Sequence, residues 1–300
     1  MNRQSLTGII LILCAAMLWG TTGTAQTFAP LTLSSYWVGS MRLLVAASFF
    51  LLWLSLRNAS ALQPSRLRQL PWMAITLAAV GMAVYNLAFF AGIRATGVAL
   101  GTAMALGSGP VWAGFLQIVV TRQKPSGLWW AALSICVLGL VMTTMGSQGS
   151  LSLPASGIAL CLLSGLSYAV YALATKQIVA STPPEVATAS VFLLAALIAL
   201  PAAGLLAGKP MISTGDVVVM LWLGVVATGV AYLLFTTGLK FVSSATGVAL
   251  ALAEPVTAVV LAVLIVGERP ASISYAGLVL MLLGLGILVK SEVSGSDASG

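Results

Sequence analysis

Glu254 lies in the middle of ATGVALALAEPVTAVVLAV, residues 245–263, which is otherwise apolar or small, and Pro255 follows it directly. A charged side chain at the centre of a membrane span costs about 2.5–3.5 kcal/mol, so this carboxylate must face protein or water. Two readings compete. Glu254 lines a cavity, where it contacts a substrate ammonium or carries a coupling proton; or it holds a broken helical turn by accepting freed backbone N–H groups. Pro255 lacks an N–H and crowds the preceding turn, which predicts a kink. Arg42 is the other outlier, early in the apolar run 34–56. Either it snorkels outward or its planar fork faces the same cavity, suited to a carboxylate. Arg42 and Glu254 together offer complementary ends for a zwitterion.

Aromatic residues supply the next group. Trp19, Tyr85, Trp112, Tyr168, Tyr171 and Tyr232 fall deep within apolar runs, where an indole N–H or phenol O–H needs a partner. Asn86 and Phe89 share that depth. These residues either wall a cavity or pack between helices with their polar atoms bonded across them. Gly97, Gly101, Ala105 and Gly109 recur at intervals of four, a spacing that lets helices approach closely. Pro110 and Pro255 read as hinge positions, because bends placed alike in two halves can absorb dihedral change.

Other chemistry is disfavoured. Histidine is absent, which removes the commonest metal ligand and general base. Cys14, Cys136 and Cys161 lie inside apolar runs and offer neither a disulfide framework nor a metal cluster. No metal and no cofactor is expected. There is no G-x-x-x-x-G-K-[ST] phosphate loop, so the chain does not itself drive transport with ATP. An intramembrane enzyme would need a nucleophile with a base, and among buried acids only Glu254 is read from the sequence; no enzyme is expected.

The elements that must position these residues follow from composition. The chain is 60% hydrophobic and 6% charged, with a mean hydropathy of +1.08, against about 25% charged residues in soluble domains. Ten apolar runs of span length occur, at 6–25, 34–56, 70–92, 97–120, 126–145, 155–178, 186–207, 216–238, 245–267 and 271–290. The first could be a cleaved signal, but it approaches a full span and GIILILCAAMLWG echoes GIALCLLSGLSYA at 157–169, so it is kept as a helix. Within lipid such runs must be helical. The net charge of +7 is spread singly between runs, which is topology information rather than a nucleic-acid surface. With both termini inside, Arg3, Arg57, Arg66, Arg68, Arg122, Lys124, Lys176, Lys240 and Lys290 are cytoplasmic. Only Arg94, Lys209 and Arg269 then lie outside.

The chain repeats itself. VYNLAFFAGIR (84–94) parallels VAYLLFTTGLK (230–240), and residues 110–140 align without gaps on 255–285, sharing both prolines and a closing Leu-Gly-Leu. Trp19 and Tyr168 occupy equivalent places. A duplicated unit with an odd number of spans must insert its second copy upside down, which gives inverted repeats with a binding site between them near the midplane.

AMLWG in the first run, Arg42, GLKFVSSATGVALALAEPVTAVVLAVLIVGERP (238–270) and the glycine-rich last run resemble the EamA family of the drug/metabolite transporter superfamily. The likeness covers essentially the whole chain. The first half departs from it, with GSGP where the second has LAEP and TRQKP where the second has VGERP. The chain also resembles the amino-acid exporters of the YddG type, without a motif that carries it into that subfamily. The resemblance implies an all-α polytopic protein of the bacterial inner membrane, with a first unit at 1–145, a linker at 146–154, a second unit at 155–290 and a disordered tail at 291–300. It implies a carrier that exports small metabolites, amino acids foremost, by alternating access. The expected partners are a small-molecule substrate and the lipid bilayer, not nucleic acid. The oligomer is left open between monomer and homodimer. A passive channel and a non-transporting scaffold remain the alternatives.

Overall fold

The structure, a computed structural model, describes residues 3–28, 32–145 and 154–297. Among the described residues, ten helices are long and apolar enough to cross a membrane. They are α1 (Arg3–Phe28), α2 (Ser35–Arg57), α3 (Trp72–Thr96), α4 (Val98–Thr121) and α5 (Gly127–Met145). The second set is α6 (Ala155–Ile178), α7 (Pro184–Ala207), α8 (Thr214–Gly238), α9 (Ser244–Val266) and α10 (Ser272–Asp297). Each apolar run of the sequence has become one helix, and no strand occurs among the described residues. The expected linker at 146–154 lies outside the described residues except for Pro154, which opens α6.

Helix pairing follows a two-fold pattern. α1 packs on α8 and α9, while its counterpart α6 packs on α3 and α4; α2 pairs with α7, and α5 with α10. An axis in the membrane plane produces this combination of exchanged and self-paired contacts. Small residues make the contacts possible. A Cβ on Gly139 of α5 would sit 2.6 Å from the Gly277 carbonyl oxygen of α10, and a Cβ on Gly277 would sit 2.5 Å from that of Gly139. Lipid tails give no hydrophobic drive between helices, so such backbone approach supplies dispersion contact instead. Side chains left outside are apolar: Met73 and Leu205 are each 89% exposed and Leu264 76%, as acyl chains require.

The small stripe of α4 divides its labour. Gly97 adopts φ 87° and forms the corner between α3 and α4, where a side chain would be strained. Gly101 faces Thr96 and Ile93 at the end of α3, whereas Ala105, Ser108 and Gly109 abut Gly165 of α6.

Three local features differ from expectation. The prolines do not act alike: α4 runs unbroken through Pro110, whereas α9 breaks at Ala251 and Leu252. Pro255 cannot donate to the Ala251 carbonyl, and the Glu254 N–H takes that oxygen at 2.9 Å instead. α8 carries a π-helical stretch, Trp222–Val230. α10 continues through residues 291–297 of the expected tail, ending at Asp297. Glu292 holds it there, accepting from the Ser243 N–H at 3.1 Å and the Thr246 hydroxyl at 2.5 Å at the start of α9.

Candidate functional site

Between the two halves lies a cavity of about 630 Å³, within the range of small-molecule sites. Its deep end is formed by Tyr85, Leu106, Tyr168 and Ala251. Its mouth lies by Gln26, Leu33, Ser35 and Thr102, next to the α1–α2 and α3–α4 connections. Trp19, Arg42, Tyr85, Asn86, Phe89, Tyr168, Tyr232 and Glu254 all line it, so eight of the residues singled out in the sequence come together there.

Two do not. Trp112 sits further along α4 than Leu106, beyond the cavity floor, and packs against the core. Tyr171 is a second layer: 1% exposed, it stacks on Tyr168 at 5.9 Å and meets Tyr232 edge-on at 5.7 Å.

The aromatic wall is continuous. Trp19 lies 4.9 Å from Tyr232 and 6.4 Å from Tyr168, Tyr168 lies 5.1 Å from Tyr85, and Tyr85 lies 5.9 Å from Phe89. Tilted and edge-on contacts of this kind hold rings rigid. The repeats contribute in register, because Asn86 and Tyr232 occupy equivalent places in 84–94 and 230–240 and both reach the cavity. Within this wall the Trp19 Nε1–H and the Tyr168 hydroxyl are buried and have no hydrogen-bond partner among the described residues. An unsatisfied buried donor costs about 1–3 kcal/mol. Asn86 is partly used, donating to the Met82 carbonyl oxygen at 2.9 Å.

The two charges are treated differently. The Arg42 Nε–H donates to the Thr228 hydroxyl at 2.9 Å, and Thr228 in turn donates to the Leu223 carbonyl oxygen, five residues back, at 2.6 Å. The π-helical stretch of α8 makes that carbonyl available. Arg42 is therefore tethered by one nitrogen, and its terminal fork is left to the cavity. Glu254 has no hydrogen bond or ion pair to its carboxylate among the described residues. Its backbone meets α1, where a Cβ on Gly20 would lie 2.8 Å from the Glu254 carbonyl oxygen.

Asp216 makes a useful contrast. It is 0% exposed, so Glu254 is not the sole buried acid, as the sequence had it. Asp216 accepts from the backbone and hydroxyl of Thr32, the backbone of Leu33, and the backbone and hydroxyl of Ser213. It is spent on joining the α1–α2 and α7–α8 connections. No such donor reaches the Glu254 carboxylate among the described residues.

Sequence reasoning missed Thr228, which holds Arg42, and the stripe of Thr22, Gly23 and Gln26 that carries the wall from Trp19 toward the mouth. That stripe follows Trp19 at helical intervals and was legible. Thr228 was not, because its reach depends on the altered winding of α8.

At the end away from the mouth the bundle is sealed. Gln117 of α4 accepts from the Ala245 N–H of α9 at 3.1 Å, and the Lys176 ammonium of α6 donates to the Leu239 carbonyl oxygen at 2.6 Å. A void of about 10 Å³ lies between floor and seal, bounded by Tyr85, Gly109, Tyr168 and Val248. It has room for about one water.

Comparison with known proteins agrees with this architecture. A crystal structure described only as that of a protein superposes with a TM-score of 0.80, covering 93% of this chain and 95% of its own, at 16% identity; it speaks for the fold alone. The uncharacterized transporter YwfM of Bacillus subtilis (strain 168) is 34% identical over 278 residues, 92% of this chain and 91% of that one. The profile of the EamA-like transporter family matches twice, at 6–145 and 155–290. Ten spans in two repeats around a central cavity, with the family matched in each half, make this chain a member of the EamA-like transporter family, a multi-pass membrane transporter.

Proposed function

We propose that the protein is a secondary exporter of small zwitterionic metabolites, amino acids foremost, in the bacterial inner membrane. The observation that carries this reading is the pairing inside one cavity of a carboxylate with no protein partner, Glu254, and an arginine fork, Arg42, along an aromatic wall. An α-carboxylate suits the fork bidentately, an α-ammonium suits the carboxylate, and the rings accept an apolar or aromatic side chain. With both termini cytoplasmic, as the basic residues favour, the mouth faces outward and the seal inward. Exchange of shape between the two halves then carries the solute across, which is alternating access. The closed floor supports a carrier over a passive channel, which needs a through path.

The test is uptake and counterflow of a panel of radiolabelled amino acids by the purified full chain in liposomes. Trans solute should accelerate release of labelled solute from loaded vesicles. Release that is indifferent to trans solute would indicate a channel, and no movement of any panel member would remove the zwitterion reading.

A further inference from the structure

We propose that Glu254 is the energy-coupling group, binding a proton and the substrate ammonium by turns, so that each solute exported is exchanged for a proton imported. This rests on the carrier reading and deepens it.

Position supports the role first. Glu254 lines the cavity beside the break in α9, where the helix is interrupted at Ala251 and Leu252. A rocking of the halves that uses this break moves the carboxylate with it. The group is thus placed to meet the outer mouth in one state and the inner side in the other.

Its freedom supports the role second. A coupling carboxylate must not be committed to protein donors in either state, and this one is not, whereas Asp216 is held by Thr32, Leu33 and Ser213. Arg42 is the natural competitor. Its tether to Thr228, itself fixed to Leu223, holds the guanidinium aside. Among the described residues Arg42 closes no ion pair with Glu254.

The surroundings contain no rival for the proton. Of the titratable and charged groups lining the cavity, α2 presents Arg42, α3 Tyr85, α6 Tyr168 and α8 Tyr232; α1 brings Trp19, Gly20, Thr22, Gly23 and Gln26, and α4 Thr102 and Leu106, none of which titrates. On the neighbouring α10, Glu292 is engaged at the start of α9, and Tyr275 is 43% exposed on the outside. Tyrosines near pH 7 are neutral and arginine does not release its proton, so Glu254 is the exchangeable site.

The cycle balances. From the outward-facing state, water at the mouth protonates the carboxylate and the ammonium leaves. After the halves exchange shape, the proton passes to inner water, and the carboxylate binds the next ammonium while Arg42 takes its carboxylate. A zwitterion carries no net charge, so one positive charge enters per turnover and the exchange is electrogenic.

The experiment uses full-length protein in liposomes enclosing a proton-sensitive dye and an unlabelled mixture of the twenty amino acids, with the potential clamped by potassium and valinomycin. A parallel assay follows counterflow of the labelled mixture at equal pH on both sides. The orientation mixture of reconstituted protein is scored by protease protection. The expected result is proton entry driven by the outward amino-acid gradient in the wild type, at least tenfold slower in Glu254→Gln. Glu254→Asp, which keeps the carboxylate one methylene further back, should restore entry with a displaced pH profile of counterflow. Counterflow without proton entry in the wild type overturns the coupling and leaves the carrier standing. Proton entry that persists in Glu254→Gln, or an Asp variant with the wild-type profile, overturns the assignment to Glu254. Absence of both counterflow and proton entry in the wild type overturns the carrier reading and this proposal with it.

Discussion

Arg42 and Thr228 are joined across the repeat interface by a 2.9 Å hydrogen bond from the guanidinium Nε–H. Arg42 belongs to the first half and Thr228 to the second, so the cation that faces the cavity is aimed by the opposite repeat. The aim depends on a π-helical stretch, since Thr228 is itself fixed by a bond to the carbonyl five residues back. Such stretches are uncommon and gather at functional sites.

Thr228→Val removes the acceptor while nearly keeping the volume. The guanidinium is then free to swing onto Glu254, and the two charges satisfy each other rather than a solute. A hydrogen bond to a charged group is worth about 1.5–3 kcal/mol, so the apparent KM for zwitterionic solutes should rise about tenfold or more. Thr228 is fully buried and also bonds the Leu223 carbonyl, so a lowered thermal midpoint is expected as well, and the KM is read on the folded fraction. A concentration series of counterflow checks this.

Substitution at Arg42 separates charge from geometry. Lysine keeps the charge but loses the planar fork and the Nε–H that meets Thr228. Arg42→Lys should therefore weaken transport of zwitterions nearly as much as Arg42→Gln, and neither should penalise competition by amines that lack a carboxylate. Inhibition of labelled amino-acid uptake by the paired amines measures the difference. Full activity of the lysine variant would show that charge alone suffices.

The number of spans and the inverted halves follow from apolar run lengths and from the 145-residue offset between Pro110 and Pro255, and these were legible. Cavity depth was legible too for Trp19, Tyr85 and Tyr168, because polar-tipped rings away from a membrane interface need an inward face. Trp112 and Tyr171 obey the same rule yet lie outside the wall, for depth along a helix does not fix which way the side chain turns. Glu254 and Asp216 show the limit from another side. Both are acids within apolar runs, and only the reach of Thr32 and Ser213 across the loops decides which of the two is consumed. Long-range partners of that kind leave no mark on local sequence.

Asp216→Asn tests the consumed acid. The amide keeps the shape but loses the charge that strengthens the bonds from Thr32, Leu33 and Ser213, and its NH2 meets donors where the carboxylate met them. About 2–3 kcal/mol of destabilisation is expected, seen as a lowered thermal midpoint in detergent. Because these residues fasten connections and do not reach a solute, KM in the folded fraction should be close to wild type. A large KM change with an unmoved midpoint would place Asp216 in the binding machinery.

The seal at the other end makes the last prediction. Gln117 joins α4 of the first half to α9 of the second by accepting from the Ala245 N–H at 3.1 Å, and the void above it is lined by Gly109 and Val248. Gly109 is the repeat counterpart of Glu254, so this void occupies on the closed side the place that the cavity occupies on the open side. Opening inward must part Gln117 from Ala245. Gln117→Leu removes the bond and leaves that N–H unsatisfied only in the closed arrangement, because inner water reaches it once the seal opens. A loss of about 1–3 kcal/mol from one state shifts the balance between the two by roughly five- to a hundredfold. In a Val248→Cys background, modification by a membrane-impermeant thiol reagent applied from the α9 N-terminal side should accelerate by a factor in that range when Gln117→Leu is added. Unaltered labelling would mean that the Gln117 contact is packing and not part of a gate.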